Sequence, residues 1–463
     1  MNILLSMAKD KSVFICQQCG QRYSKWMGRC QECGQWNGVV EERESRGSAG
    51  AGARRSQSLS AGTQGVPTPI ADIVAQDFLR YPSGLSELDN VLGGGLVPGS
   101  VVLLGGEPGV GKSTLLLQAA EQYARSGKKV LYASGEESAS QIALRSARLG
   151  ASSPNLLVLS ETALEPIRAH VEQLSPDLLI LDSIQTIYST ELESQPGSVG
   201  QLRECTFEII NLAKGRHMAT FLVGHVTKEG AIAGPKVLEH MVDVVLYFEG
   251  TSSQTFRLLR SIKNRFGATN ELGVFEIRTK GLEEVSNPSE LFLAERPSRI
   301  PGSVIVASVE GTRPILVEVQ ALASATSLAM PRRTAIGLDP NRVSLLVAIL
   351  EKRGGFRLFD QDVYVNIAGG LRLNEPAVDL GVIAALISSY TGNAVDSGSV
   401  FFGEVGLGGE VRSVPKAAER LKEAARIGLK RAYVPVKVKS ELSDYRAIEL
   451  VSIEHVQELA DRI

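Results

Sequence analysis

The sequence predicts an α/β protein whose body is a mainly parallel sheet with helices on both faces. Apolar strand-like runs alternate with helical patterns from Tyr81 to about Gly281. The stretch Gly106-Glu107-Pro108-Gly109-Val110-Gly111-Lys112-Ser113-Thr114 fits, without a mismatch, the pattern Gly, four residues, Gly-Lys-Ser/Thr. Two Cys-x-x-Cys pairs near the N-terminus predict a small separate module in front of that body.

In chain order, residues 1–12 read as a flexible N-terminus, too short for a signal peptide, with Met7 a second candidate start. Residues 13–40 hold Cys16-Gln-Gln-Cys19 and Cys30-Gln-Glu-Cys33, each pair followed by a glycine, Gly20 or Gly34. Glycine permits the positive-φ turn that aims backbone N–H groups at thiolate sulfurs. So short a segment encloses no apolar core of its own. Tetrahedral Zn²⁺ on Cys16, Cys19, Cys30 and Cys33 would supply its folding energy, with Tyr23, Trp26 and Trp36 packed around the metal. Two disulfides or a redox dithiol are the competing readings. A reducing compartment disfavours the first, and the second needs only one such pair on a thioredoxin-like frame. The fifth cysteine, Cys205, sits in a helical pattern and reads as a small buried apolar residue. Residues 41–75 turn to Glu, Arg, Ser, Gly and Ala and predict a flexible linker.

At 463 residues the chain has room for several cores, and its formal net charge of −2 leaves any nucleic-acid contact to local patches. No apolar run is long enough to cross a bilayer, so the expectation is a soluble cytoplasmic protein with no membrane partner.

The glycine-rich stretch predicts a phosphate cradle. Glycines let N–H groups curl round a β-phosphate, Lys112 reaches the β/γ-oxygens, and the Ser113 hydroxyl ligates Mg²⁺. Ser100–Leu104 reads as the buried strand entering the loop, and the run from Thr114 as the helix leaving it. Next come Lys129–Ala133, ending in Ser134-Gly135-Glu136-Glu137, and Asp177–Ser183, whose Asp182 follows four apolar residues. Asp182 is placed to hold the Mg²⁺ shell. Glu136 is placed as the general base for an attacking water, with Glu137 in reserve and a solvated turn glutamate as the other reading. Ala219–Gly224 and Val242–Phe248 supply two more strands.

The run from Tyr81 to Ser100 resembles the lead-in of RecA-type ATPases, a ring- and filament-forming class. Lys263-Asn-Arg-Phe-Gly267 is similar to the signature pentapeptide of the bacterial RadA (Sms) family, and the four-cysteine module before the ATPase completes that resemblance. Asn366–Pro376 and Phe402–Arg412 are similar to segments of the Lon protease proteolytic domain. The order zinc module, ATPase, Lon-like domain covers essentially the whole chain after Met7. It implies a RecA-like ATPase domain at 76–285 and an α+β Lon-like domain at 286–463.

The resemblance further implies ATP with Mg²⁺ as ligands and a homo-hexameric, DNA-dependent motor. Such a motor would load on single-stranded DNA, migrate or unwind branched DNA, and act with a RecA-type recombinase in recombination and repair. Lys263 and Arg265 would reach the γ-phosphate held by the neighbouring subunit; on residues alone, a basic strand end in solvent is equally open. His225 resembles the polar sensor position of RecA-type enzymes, against a plain core or solvent-facing histidine. The loop 227–236, with Lys228 and Lys236, corresponds to the DNA-binding loops of RecA-like proteins, and Arg203 joins it from the preceding helix; solvated loop lysines are the other reading. Arg313, Arg332, Arg333, Arg342, Lys352, Arg353 and Arg357 give the Lon-like domain a basic bias that suits DNA backbone or subunit packing. A Lon-type peptidase attacks with a serine activated by a lysine. Aligned on the quoted segments, those positions hold Ala377 and Ala418, with Lys416 near by, which argues against peptidase activity. A partner-controlled ATP switch is the remaining alternative.

Overall fold

The computed structural model describes residues 12–16, 21–32, 34, 36, 38–43, 79–225, 235–250, 256–294, 296–297, 299–326 and 330–463. The chain divides into two compact units between Glu284 and Val285. Most of the segment read as a linker, and residues 1–11, lie outside the described residues. Ser12 and Glu41–Arg43, at the margins of the cysteine module, are paired in strands.

That module is a three-stranded antiparallel sheet of β1 (Ser12–Cys16), β2 (Arg22–Tyr23) and β3 (Val39–Arg43), ordered β2-β1-β3. Among the described residues its interior holds Cys16, Cys30 and Val39, with Phe14 and Tyr23 against them.

From Tyr81 the chain builds a nine-stranded sheet. Its elements are α1 (Ser86–Leu92), β4 (Val101–Gly106), α2 (Lys112–Arg125), β5 (Val130–Ser134), α3 (Ala139–Leu149), β6 (Leu156–Ser160), α4 (Leu164–Leu174), β7 (Leu178–Asp182), α5 (Val199–Arg216), β8 (Ala219–His225), α6 (Pro235–Glu239), β9 (Val244–Glu249), β10 (Phe256–Asn264), β11 (Leu272–Arg278) and β12 (Gly281–Glu284). The order is β12-β11-β10-β9-β4-β8-β7-β5-β6. Strands β9 to β6 in that order run parallel, and β10 to β12 close one edge antiparallel.

Strand β4 shows why this arrangement follows from the sequence. A strand buried on both faces needs apolar residues at every position, and β4 is buried throughout. Val102 and Leu104 pack on one face with residues of α1 and α2, while Val101 and Leu103 pack on the other with α4 and α5. Helix α3 begins at a capping box in which Ser138 and Gln141 satisfy each other's backbone N–H groups. Cys205 lies fully buried on α5, where burial pushes its thiol up to about 12.

The second unit contains α7 (Pro288–Leu293), β13 (Ser303–Glu310), β14 (Arg313–Ala325), β15 (Arg333–Ile336), α8 (Pro340–Gly354), β16 (Gln361–Ile367), α9 (Asp379–Thr391), β17 (Ser399–Phe401), β18 (Glu404–Val405), β19 (Val411–Arg412), α10 (Ala417–Arg426), β20 (Arg431–Pro435), α11 (Val436–Glu441) and β21 (Glu449–Ile453). Seven of these strands form a mixed sheet, β15-β16-β14-β13-β17-β20-β21. Helix α9, apolar around most of its surface, is buried from Asp379 to Ser388.

Candidate nucleotide site

The parallel strands deliver their carboxyl ends to one edge, and the glycine-rich loop leaves β4 there. Gly111 caps α2 at φ 115, a left-handed conformation that a side chain resists, and Lys112 opens the helix. The helix thus starts two residues before the Thr114 start read from the sequence. Lys112 is 3% exposed; its Nζ donates to Gly106 O at 2.8 Å and Glu107 O at 2.9 Å and lies 3.2 Å from His225 Nδ1. Burial pulls its ammonium down to about 8, against the opposing pull of Asp182 and Glu136. A loop of N–H groups with a buried, poorly solvated cation fits a phosphate polyanion, which would replace the solvation that Lys112 lacks.

Strand order assembles the rest. Strand β8 lies between β4 and β7, so His225 reaches the edge beside both. Its Nε2 lies 3.0 Å from Glu136 Oε1. An ammonium can only donate, so Nδ1 is the acceptor and Nε2–H donates to the carboxylate. Ser183 Oγ also donates to Glu136 Oε1. The His225 hydrogen bond, with help from Ser183 and Lys112, holds the Glu136 carboxyl down to about 2 despite its partial burial. Asp182 ends β7, 5% exposed, and accepts from Tyr132 Oη at 2.6 Å. Burial pushes the Tyr132 phenol well above its ordinary value, so it stays a donor.

Lys112, Glu136, Asp182 and His225 therefore share one edge, with Ser113 and Thr114 on the first turn of α2. Glu137 turns away to pair with Arg145 of α3, which separates the two adjacent glutamates. Tyr132 and Ser183 escaped the sequence reading. Their only signals are local: Tyr132 alternates with Ser134 on one strand end, and Ser183 follows Asp182.

Lys263 and Arg265 lie elsewhere. Lys263 pairs with Val245 near the start of β9, and its Nζ donates to Glu239 O and Val242 O, each at 2.8 Å. Gly106 pairs with Phe248 on the same strand. From Val244, where β9 begins, to Phe248 the strand rises about 13 Å. The two cations thus occupy the amino edge of the sheet, opposite the phosphate loop. Burial lowers the Lys263 ammonium, and Arg265 as a neighbour lowers it further. Arg265 is exposed and pairs with Asp243 at 3.0 Å.

Of the other basic candidates, Arg203 is exposed on α5. Lys228 lies outside the described residues, and of Lys236 only its place in α6 is described. In the second unit Arg313 donates to Ser286 O at 2.5 Å, and Arg333 to Gln361 O and to Leu358 O, the latter at 2.7 Å. Arg342 pairs with the buried Asp379. Arg332, Lys352 and Arg353 remain exposed, so the basic residues do not form one uniform face. Ala377 is fully buried, Ala418 is exposed on α10, and between them in sequence Lys416 donates to Gly311 O at 2.7 Å.

In the cysteine module, Cys16 and Cys30 are 0% and 1% exposed. Cys16 N donates to Gln21 O and Gly34 N to Cys30 O, and Gly34 takes φ 74 as its knuckle position requires. Tyr23 Oη lies 3.1 Å from Cys30 Sγ. Two buried thiols, one of them beside a tyrosine hydroxyl, in turns closed by main-chain hydrogen bonds fit a thiolate-bound metal. Cys19 and Cys33 lie outside the described residues. Trp26 and Trp36 are 58% and 67% exposed rather than packed in the interior, where, among the described residues, Phe14 and Tyr23 lie against Cys16, Cys30 and Val39.

A RecA-like sheet carrying this loop defines the class: a P-loop protein with an AAA-type ATPase domain. In agreement, residues 67–231 match the AAA domain family and residues 14–41 the rubredoxin metal binding domain family. The chain is 52% identical to the DNA repair protein RadA of Bacillus subtilis over 452 residues, 98% of each chain. It is 51% identical to the DNA repair protein RadA of Halalkalibacterium halodurans over 452 residues and 48% identical to that of Listeria monocytogenes over 454, again with 98% of each chain covered. The chain belongs to the RadA family. No helix among the described residues is long and apolar enough to cross a membrane.

Proposed function

We propose that this protein is a DNA-dependent ATPase that acts as a hexameric motor on recombination intermediates in DNA repair. It loads on single strands, drives branch migration or unwinding, and works with a RecA-type recombinase. The observation that carries this reading is the separation of two cation sets on one sheet. Lys112 stands at the carboxyl edge with Glu136 and Asp182, while Lys263 and Arg265 stand at the amino edge. A subunit so built offers its second set to a neighbour's nucleotide, as a ring requires.

In this mechanism the loop 106–111 and Lys112 bind the phosphates of ATP, with Thr114 beside them, and Ser113 and Asp182 hold Mg²⁺. The metal supplies neutralisation of phosphate charge when bound. Glu136 orients and deprotonates the attacking water through its second oxygen. His225 holds Lys112 and Glu136 in the empty site and gives up the lysine when phosphate arrives. Lys263 and Arg265 offset charge on the transferring phosphoryl group across the interface. Arg203, Lys228 and Lys236 contact the DNA backbone, with Arg332 the exposed basic contact of a non-proteolytic Lon-like domain at 286–463. Arg313 and Arg333 brace that surface through main-chain carbonyls. Cys16, Cys19, Cys30 and Cys33 hold Zn²⁺, which supplies folding energy to the module at 13–40.

The test is ATP hydrolysis with and without single-stranded DNA, for the native protein, for Lys112→Ala, for Arg265→Ala, and for a mixture of the two variants. Each variant alone is inactive. Mixing them restores DNA-stimulated turnover, because one subunit supplies the phosphate loop and its neighbour the arginine. No recovery on mixing sinks the contact in trans. Turnover indifferent to DNA moves the reading to a partner-controlled switch.

A further inference from the structure

We propose that the face of the cysteine module carrying Trp26, Arg29 and Trp36 is a binding site for single-stranded nucleic acid. The chain has two tryptophans, and both lie within this segment with their rings in solvent. Large exposed aromatics on so small a module mark a contact surface. Trp26 Cη2 stands 3.5 Å from where a Cβ would sit on Gly28, so the indole lies against that glycine. Arg29, the next residue, bridges to Trp36 in antiparallel pairing, with its guanidinium 5.6 Å from the ring centroid. Its Nε donates to Gly34 O at 3.1 Å, which holds the arginine beside the Trp36 ring. Lys25 is exposed beside Trp26, and an open cleft of about 680 Å³ runs past Lys25, Trp26, Met27 and Arg29.

The chemistry of the face selects its occupant. The cations are local to the rings: Lys25 is exposed beside Trp26, and Arg29 lies over Trp36. Cations at the rings suit a polyanion, and flat indoles suit planar bases. A duplex hides its base faces inside the stack, so the rings take unpaired bases. Stacking engages a face that every base has, which makes the contact tolerant of sequence. The site rests on the single-strand reading above and adds to it an anchor outside the ATPase sheet.

Because both tryptophans lie in this module, the intrinsic tryptophan fluorescence of the full-length, zinc-loaded protein reports on it alone. Unlabelled oligothymidylate is expected to quench that signal. Trp26→Ala and Trp36→Ala should each weaken binding of a labelled oligothymidylate, followed by anisotropy, about tenfold. Trp36→Phe should restore most of the loss with zinc content unchanged, and Arg29→Ala should lower the salt slope of binding by about one. If the labelled strand binds but neither quenches the tryptophans nor distinguishes the variants, the inference falls and the single-strand reading stands. If no strand binds at all, both fall. Quenching by a purified RecA-type recombinase but not by the oligonucleotide overturns the inference in favour of a protein-docking face.

Discussion

His225 Nε2 stands 3.0 Å from Glu136 Oε1 while the same ring's Nδ1 stands 3.2 Å from Lys112 Nζ. One neutral imidazole therefore links a buried cation to an anion whose pKa it holds down. With His225 and Ser183 both donating to Oε1, the second carboxylate oxygen of Glu136 is the one placed to receive a water proton.

Glu136→Gln should lower ATP turnover by about 10²- to 10⁴-fold while leaving nucleotide binding near native, since general-base catalysis is typically worth that much. Glu137→Gln should change turnover by less than about threefold, because its ion pair with Arg145 lies outside the chemistry. Single-turnover hydrolysis alongside a fluorescent-nucleotide titration separates the two variants. Equal losses would reject the assignment.

Lys112 gives a pH signature. Its folded pKa of about 8 lies below the ordinary 10.5, so the empty site disfavours the ammonium and fold stability rises with pH between those values. A bound polyanion reverses the preference, so binding takes up a proton once the free lysine is neutral. Nucleotide affinity should thus fall as pH rises above about 8, with proton uptake visible by calorimetry in buffers of different ionisation enthalpy. Lys112→Met should bind weakly and show no such uptake. For Glu136 the sign is opposite: its depressed pKa stabilises the fold above the ordinary carboxylate value, and that contribution is lost as pH falls toward about 2.

Tyr132→Phe removes the phenol that donates to Asp182 at 2.6 Å and leaves the ring packing in place. Tyr132 is a positioning residue. The Mg²⁺ concentration needed for half-maximal nucleotide binding should rise about tenfold, the usual scale for losing an outer-shell hydrogen bond, with an unchanged circular dichroism spectrum. An unaltered Mg²⁺ requirement would show that Asp182 holds its position without the tyrosine.

In the second unit, Arg420 is 1% exposed and holds Glu375, while also donating to Ala307 O at 2.6 Å and Pro415 O at 3.1 Å. Glu375 in turn accepts from Ser308 Oγ and Val309 N. Arg420→Ala should destabilise this unit by about 3–5 kcal/mol, because it strands a carboxylate inside the network. Replacing both partners by apolar residues, Arg420→Met with Glu375→Leu, should recover much of that loss in a urea titration. Full additivity of the two single losses would mean they do not act as a pair.

Much of the candidate site is legible because it is local. The phosphate loop sits in consecutive residues, Asp182 follows an apolar run, and Glu136 ends a strand, so each is visible without knowing the fold. The link from Lys112 through His225 to Glu136 is invisible in sequence, because it exists only once β8 inserts between β4 and β7. The basic bias of the second unit misleads for a similar reason. Counting charges cannot tell that Arg342 turns inward to Asp379 or that Arg333 ties down main-chain carbonyls. Trp26 and Trp36 mislead in the other direction: the rule that large apolar residues go inside fails in so small a module, where both rings stand exposed.

Strand β8 lies between β4 and β7 in the sheet and is buried from Ala219 to Gly224. It is therefore a common load path. A ligand that pries the phosphate loop away from the Asp182 strand end must strain the β8 ladder on one side or the other. The first side chain to register that strain is the one at the free end of β8, His225, from which the chain runs directly into residues 226–234. Mechanically the strand is a tie-rod, and the imidazole is the gauge mounted at its tip.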